Sequence, residues 1–235
     1  TFNVDNVATL DLTSVGGDDD DTSGIANISA SGNNTLETLN VDADADSNVD
    51  IANVDSVFAG TSASNNDVFA LDLSGDGDVT IGDVGGTDTG VTLGAEIDGL
   101  EITTNSGGAR TVELNGDTPG DLADSAGVTI SGDGDIRFIV NHAGLGNYAV
   151  DAAGVNGESV VATEDTIDAN TDVANVTGFD TFEVAGGASS KLLNLEAGVE
   201  LEFSANTAGD FGFDSSNVSS LDVAFSNGAN IDGNF

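Results

Sequence analysis

One spacing recurs along the chain and constrains it more than any other feature: an apolar residue, two positions, a second apolar residue, one position, a third. It is written as VATLDL (Val7 to Leu12), LETLNV (Leu36 to Val41), VDSVFA (Val54 to Ala59) and VFALDL (Val68 to Leu73), then as IDGLEI (Ile97 to Ile102), FDTFEV (Phe179 to Val184) and VSSLDV (Val218 to Val223). The last three positions alternate in, out, in, as a half-buried β-strand requires. The polar pair behind the first apolar residue suits a corner, and Gly, Asn, Asp and Ser follow the runs, each a turn former. The spacing predicts an all-β chain with little helix.

The central residues of the pattern fall at 10, 39, 57, 71, 100, 182 and 221. Such unequal intervals exclude a strict repeat of the propeller kind. Intervals of roughly 15–30 residues suit the coils of a parallel β-solenoid with variable loops, whereas turns every 8–12 residues or so suit an antiparallel β-sandwich. Both architectures fit. Residues 1–235 are expected to form a single elongated β-rich unit, its one candidate division into two β-rich halves lying near 116–127, around the only proline, Pro119. Thr118-Pro119 predicts a short helical turn through Asp124, and Thr163-Glu164-Asp165 the start of another. An echo links the two halves: LDLSGDGDVTI (Leu71 to Ile81) and VTISGDGDIRF (Val128 to Phe138) share a strand–SGDGD–strand phrase.

The chain carries 42 acidic residues against 3 basic ones, a net charge of −39. That charge repels nucleic-acid phosphates and anionic membrane surfaces, so neither nucleic acid nor membrane insertion is expected. High charge alone would suggest disorder. Leu, Ile, Val and Phe nevertheless make up 62 of the 235 residues, above the roughly 20% below which disorder is the default. No stretch approaches the 18 or so apolar residues of a membrane span. With no cysteine, disulfides and thiolate chemistry are absent. An acidic, lysine-poor, glycine-rich chain of this kind suits salty or calcium-containing water outside the cell, where ions screen its self-repulsion.

The sharpest candidate site is Asp72 to Asp83, which fits a calcium loop of the EF-hand or dockerin type. Oxygen ligands fall at positions 1, 3 and 5 (Asp72, Ser74, Asp76), Gly77 turns the chain at position 6, Asp78 adds a carboxylate at position 7, and Asp83 closes the loop at position 12. Hard Ca²⁺ takes six to eight or so such oxygens. The flanks read as strands rather than helices. Asp42, Asp44 and Asp46 form a second candidate: on a strand they share one face and repel unless a cation sits among them. All-oxygen ligands favour calcium over zinc or copper. Asp18 to Asp21 reads as a solvated loop tip. Asn27, Asn33, Asn175 and Asn217 are sequons.

No catalytic residue is expected. His142 is the only imidazole, without a second histidine for a metal site or a GxSxG elbow for a triad. With so many acids, some pair lies at any separation, so glycosidase-like pairs carry no signal. Arg110, Arg137 and Lys191 are too few for an anionic substrate. The phenylalanines of the last quarter, Phe179, Phe182, Phe203, Phe211, Phe213 and Phe225, are predicted to form a core there.

At NVTGFDTFEVAGG (Asn175 to Gly187), LETLNV and VSSLDV the chain resembles the calcium-dependent surface-layer (S-layer) proteins of bacteria and related exported proteins of the repeats-in-toxin group. The nonapeptide of that group is not matched: Gly75-Asp76-Gly77-Asp78 has its acids in another register, and Gly85-Gly86 lacks the following Gly-x-Asp. The resemblance implies secretion, calcium-dependent folding and assembly into a lattice on the cell surface. The expectation is therefore a structural, self-assembling extracellular protein with calcium as its cation. Its expected partners are copies of itself and, beside them, cell-surface glycan. The alternative is a filament subunit that polymerises by strand exchange through TFNVDNVATLDL at Thr1 to Leu12; an adhesive or ice-binding module is a third.

Overall fold

A computed structural model describes residues 2–5, 7–15, 21–29, 36–45, 47–57, 68–82, 90–93, 97, 99–105, 107–114, 127–146, 149–164, 166–167, 169–186, 191–204, 207–208, 212–213, 222–225 and 231–232. The strands run as β1 (Phe2–Asn3), β2 (Thr9–Ser14), β3 (Asp21–Ser29), β4 (Thr38–Ala43), β5 (Ser47–Val57), β6 (Val68–Ser74) and β7 (Val79–Ile81). They continue as β8 (Gly90–Leu93), β9 (Gly99–Thr104), β10 (Arg110–Leu114), β11 (Gly127–Gly132) and β12 (Ile136–Val140). After one helical turn, α1 (His142–Leu145), come β13 (Ala149–Val155), β14 (Ser159–Thr163), β15 (Thr171–Asp172), β16 (Val176–Thr177) and β17 (Thr181–Val184). Then follow β18 (Lys191–Leu193), β19 (Glu200–Phe203), β20 (Thr207–Ala208), β21 (Gly212–Phe213), β22 (Asp222–Phe225) and β23 (Ile231–Asp232).

Two sheets dominate. The larger has eleven strands in the order β1-β3-β5-β7-β10-β12-β14-β17-β19-β22, with β8 against β5 and β10; the smaller has seven, β16-β13-β11-β9-β6-β4-β2. Every strand pairing among the described residues is parallel, so the antiparallel hairpins of a meander are not the pairing adopted here. A two-residue hairpin cannot join parallel neighbours; a longer crossover must. Apart from the step from β7 to β8, the chain from β2 to β14 visits the two sheets alternately, and each strand pairs with the one laid down a circuit earlier.

The stacking is visible in single columns. Ile25, Ile51, Ile81, Val112, Phe138, Val161, Phe182, Leu201 and Val223 are successive in-register partners across the larger sheet. From Ile51 to Phe182 and Leu201 these side chains are buried, each contributing about 1.5–3 kcal/mol of transfer free energy. Circuit length varies, from 31 residues between Ile81 and Val112 to 19 between Phe182 and Leu201, which is why the sequence intervals are unequal. In the smaller sheet Leu10, Leu39 and Leu71 stack as the pattern suggests, but Leu71 is followed by Ile102, while Leu100 lies against Phe69. Phe179, Phe182 and Phe203 are buried; Phe213 and Phe225 fall on β21 and β22, and Phe211 lies outside the described residues.

The segment 115–126, with its predicted helical turn, lies outside the described residues. On either side of it β9 pairs with β11 and β10 with β12, and one apolar cluster runs from Val4 to Phe203. The helix predicted to start at Thr163 does not form there. Thr163 closes β14 in register with Val140, and its Oγ1 accepts the Ala185 amide at 2.9 Å, so sheet bonding claims the residue. The one described helix, α1, opens instead at Asn141, whose Oδ1 accepts the Gly144 amide at 2.8 Å, an N-cap.

In-register parallel stacking sets like beside like unless the sequence alternates, and here it does. One outward column of the smaller sheet runs Thr9, Thr38, Ala70, Glu101, Thr129, Asp151, Thr177, and the next runs Asp11, Asn40, Asp72, Thr103, Ser131. Each acid there has a hydroxyl, amide or alanine neighbour. Among the described register pairs an acid faces an acid only at Glu183–Glu202 and Glu200–Asp222. Asparagine does more than separate charges. Asn40, Asn105, Asn156 and Asn194 donate their side-chain amides to Asp11 (2.6 Å), Asp72 (3.2 Å), Asp133 (2.8 Å) and Asp172 (2.9 Å), each one circuit earlier.

Candidate functional site

The sequence candidates converge on one corner, where the chain leaves the smaller sheet for the larger. Four circuits turn there in succession: Asp44-Ala45 between β4 and β5, Gly75 to Asp78 between β6 and β7, Asn105 to Ala109 between β9 and β10, and Asp133 to Asp135 between β11 and β12. Backbone lies directly on backbone. A Cβ at Gly77 would overlap the Ser47 carbonyl oxygen, one at Gly107 the Gly75 carbonyl and one at Gly132 the Thr104 carbonyl. The two SGDGD phrases are therefore two layers of one column with Asn105 to Ala109 between them. Gly75 (φ 87°) and Gly132 (φ 122°) also hold left-handed backbone, but Gly77 and Gly134 are needed for close approach alone.

Within this corner each candidate ligand has a defined place. Asp72 and Ser74 lie on the outward face of β6, because Phe69, Leu71 and Leu73 take the inward positions. Asp72 accepts the Asn105 amide, and Ser74 Oγ donates to the Val41 carbonyl at 3.4 Å. Asp76 is exposed on the turn. Asp78 Oδ1 accepts the Ala109 amide at 2.7 Å, while its own amide donates to Asn48 Oδ1 at 3.3 Å. Asp42 is exposed on β4, in register between Thr13 and Ser74. Asp44 Oδ1 accepts the Ala45 amide at 2.8 Å. Asp46 and Asp83 lie outside the described residues.

Positions 1 and 3 of the loop thus stand on an extended strand, at about 3.3 Å of rise per residue, rather than curling around a centre. Among the described residues no group of three or more histidine, aspartate or glutamate side chains is gathered as a metal centre. His142 opens α1. Asn27 Oδ1 accepts the Asn53 amide at 2.9 Å, so this sequon side chain belongs to a ladder between β3 and β5.

The residue that sequence reasoning missed is Arg110. It is the first residue of β10, in register with Val79 and Ile136, and is buried. Nη2 donates to the Gly75 carbonyl and Nη1 to the Gly77 carbonyl, both at 2.6 Å, with a longer bond from Nη1 to the Ala109 carbonyl at 3.3 Å. Nε is buried with no hydrogen-bond partner. Burial pushes the guanidinium pKa down, against the charges of Asp78, Asp76 and Asp42, which raise it. A signal existed: Arg110-x-Val112-x-Leu114 places arginine at an inward position of an alternating strand.

Arg137, on the outward face of β12, reaches across β14 to Glu183, with Nε to Oε2 at 2.9 Å and Nη2 to Oε1 at 3.2 Å. Burial works to raise the Glu183 carboxyl, but hydrogen bonds and charge from Arg137, with a bond from Ser204, outweigh it and hold the group below the usual glutamate value. Arg110 and Arg137 both border a cleft of about 260 Å³ with Thr111, Asp135, Glu158 and Val160. Both guanidiniums are engaged within the protein.

No protein-family model matches the chain. Neither a curated protein nor a solved structure matches it.

Proposed function

We propose that the circuits form a β-solenoid and that the chain is a structural, self-assembling protein of the cell exterior, a surface-layer lattice subunit whose copies are bridged by cations at their acidic faces. The observation that carries this reading is the outward face of the smaller sheet. There Asp11 and Asp72 stand two strands apart in one column with Asn40 between them, and Glu101 and Asp151 two strands apart in the neighbouring column with Thr129 between them. Carboxylates two strand spacings apart in each column, each spacing being about 4.8 Å, offer a repeated anionic surface to an identical surface on another copy. Opposed faces of this kind repel until a multivalent cation lies between them, and all-oxygen donors favour calcium.

The reading is tested by electron microscopy of the protein with and without calcium, alongside thermal melts at low salt. Ordered sheets with calcium and dispersed particles with chelator are expected. Binding to the native state alone would add about 2.7 kcal/mol at a hundredfold excess over Kd. An unchanged midpoint and no ordered assembly would remove calcium bridging.

A filament subunit is the second reading, favoured by one observation. β2 is the last strand of its sheet in the described chain, and Leu10 and Leu12 on it are only half-buried. Deleting Thr1 to Thr13 would then abolish polymers and leave the remaining circuits folded.

A further inference from the structure

We propose that Arg110 is the resident cation of the acidic corner, its guanidinium doing between the second and third turns what a bound metal ion would do, so that the turn from Gly75 to Asp78 closes without one. Three observations converge. The Gly75 and Gly77 carbonyls, two residues apart on one turn, both point at the same guanidinium at 2.6 Å. The charges of Asp78, Asp76 and Asp42 act on it in the direction that favours its cationic form. The side chain reaches this place from a strand position where its register neighbours are Val79 and Ile136.

Two carbonyl oxygens of one turn, in the field of three carboxylates, make a place that favours a cation. A tethered guanidinium fills it permanently and directionally, because its planar fork donates to separate acceptors at once. Burying a charge is costly unless its donors are met and counter-charge lies close; here the two Nη atoms meet carbonyls, and three acids stand near. The tether also fixes register, since the guanidinium ties the start of β10 to a turn 33 to 35 residues earlier. The inference is independent of assembly: a chain that forms no lattice would still use Arg110 in this way.

Amide hydrogen exchange of the full chain tests it, read at Gly77, Val79 and Ala109, whose amides bond Ala43 O, Ala109 O and Asp78 Oδ1. In the unaltered protein, chelator at low salt should leave protection at these three amides unchanged. In Arg110→Ala it should fall at least tenfold, and millimolar guanidinium or calcium should restore it, with one more calcium bound per chain by titration calorimetry than in the unaltered protein. Loss of corner protection in the unaltered protein on chelation would overturn the inference, and so would an Arg110→Ala corner as protected as before. Should Arg110→Ala not fold, Arg110→Lys keeps the charge without the fork and should show intermediate protection; protection equal to the arginine protein would show that the fork is not what closes the turn. Failure of calcium bridging between copies appears instead in microscopy and leaves these amides untouched.

Discussion

Asn156 donates its side-chain amide to Asp133 at 2.8 Å, from one turn of the corner to the turn laid down 23 residues earlier. The bond converts a place where two circuits would meet through like charges into a hydrogen-bonded contact, and it recurs at three other Asn–Asp pairs. A chain of net charge −39 can stack in parallel register because its acids face amides and hydroxyls.

Asn156→Asp removes the donor and sets carboxylate against carboxylate. The variant should lose up to about 1 kcal/mol at low salt and regain most of it at high salt, where the repulsion is screened. Urea midpoints at two ionic strengths check this. Equal loss at both would mean that the amide serves the backbone rather than the charge.

Two glycines with opposite surroundings separate close approach from flexibility. Gly77→Ala must push a Cβ into the Ser47 carbonyl oxygen and should cost about 3 kcal/mol or more. Gly24, on β3, has nothing within 4 Å of where its Cβ would stand, so Gly24→Ala should stabilise by about 0.4–1 kcal/mol through the unfolded chain. Equilibrium denaturation of the two variants checks both signs.

Acid should weaken the larger sheet through Glu183. Its folded value lies below the usual one of about 4.3, so its contribution is complete above that pH and is lost as pH falls through the folded value. At neutral pH Glu183→Gln should cost about 1 kcal/mol, a figure reduced for the part-exposed Arg137 partner. The gap between the two proteins should narrow as pH falls below the ordinary glutamate value and through the lowered folded one. A gap that does not narrow on acidification would contradict an ionised, Arg137-bound carboxylate.

Leu71 and Leu10 stand in one column with Leu39 between them, yet Leu71 is 1% exposed and Leu10 only partly buried. Leu71→Ala should cost about 2–5 kcal/mol. Leu10→Ala should cost less than half of that, because its column has no further layer beyond it among the described residues. Calorimetric melts of the two variants measure the difference.

The alternating apolar runs determined which segments are strands and which side chains face inward, since the two-residue period of a strand leaves no choice once one face must leave water. Leu71, Leu73, Ile102 and Phe182 were legible in that way. What a strand pairs with is not written in its own period. The partner of Phe182 is Leu201 on one side and Val161 on the other, and both follow from circuit lengths that loops of free composition set. The same gap hid the corner. Gly77 reads locally as a turn former, whereas the stacked structure requires it because another turn lies on top. Asp72 to Asp83 reads locally as a ligand loop, whereas Asp72, Ser74 and Asp78 bond to the circuits above and below. Arg110 is a lone charge in the sequence and becomes the centre of the acidic corner only when its strand is laid beside a turn 33 residues earlier. Local alternation is a short-range property of the chain; the neighbours that decide charge, register and close approach are brought together only by the tertiary stack.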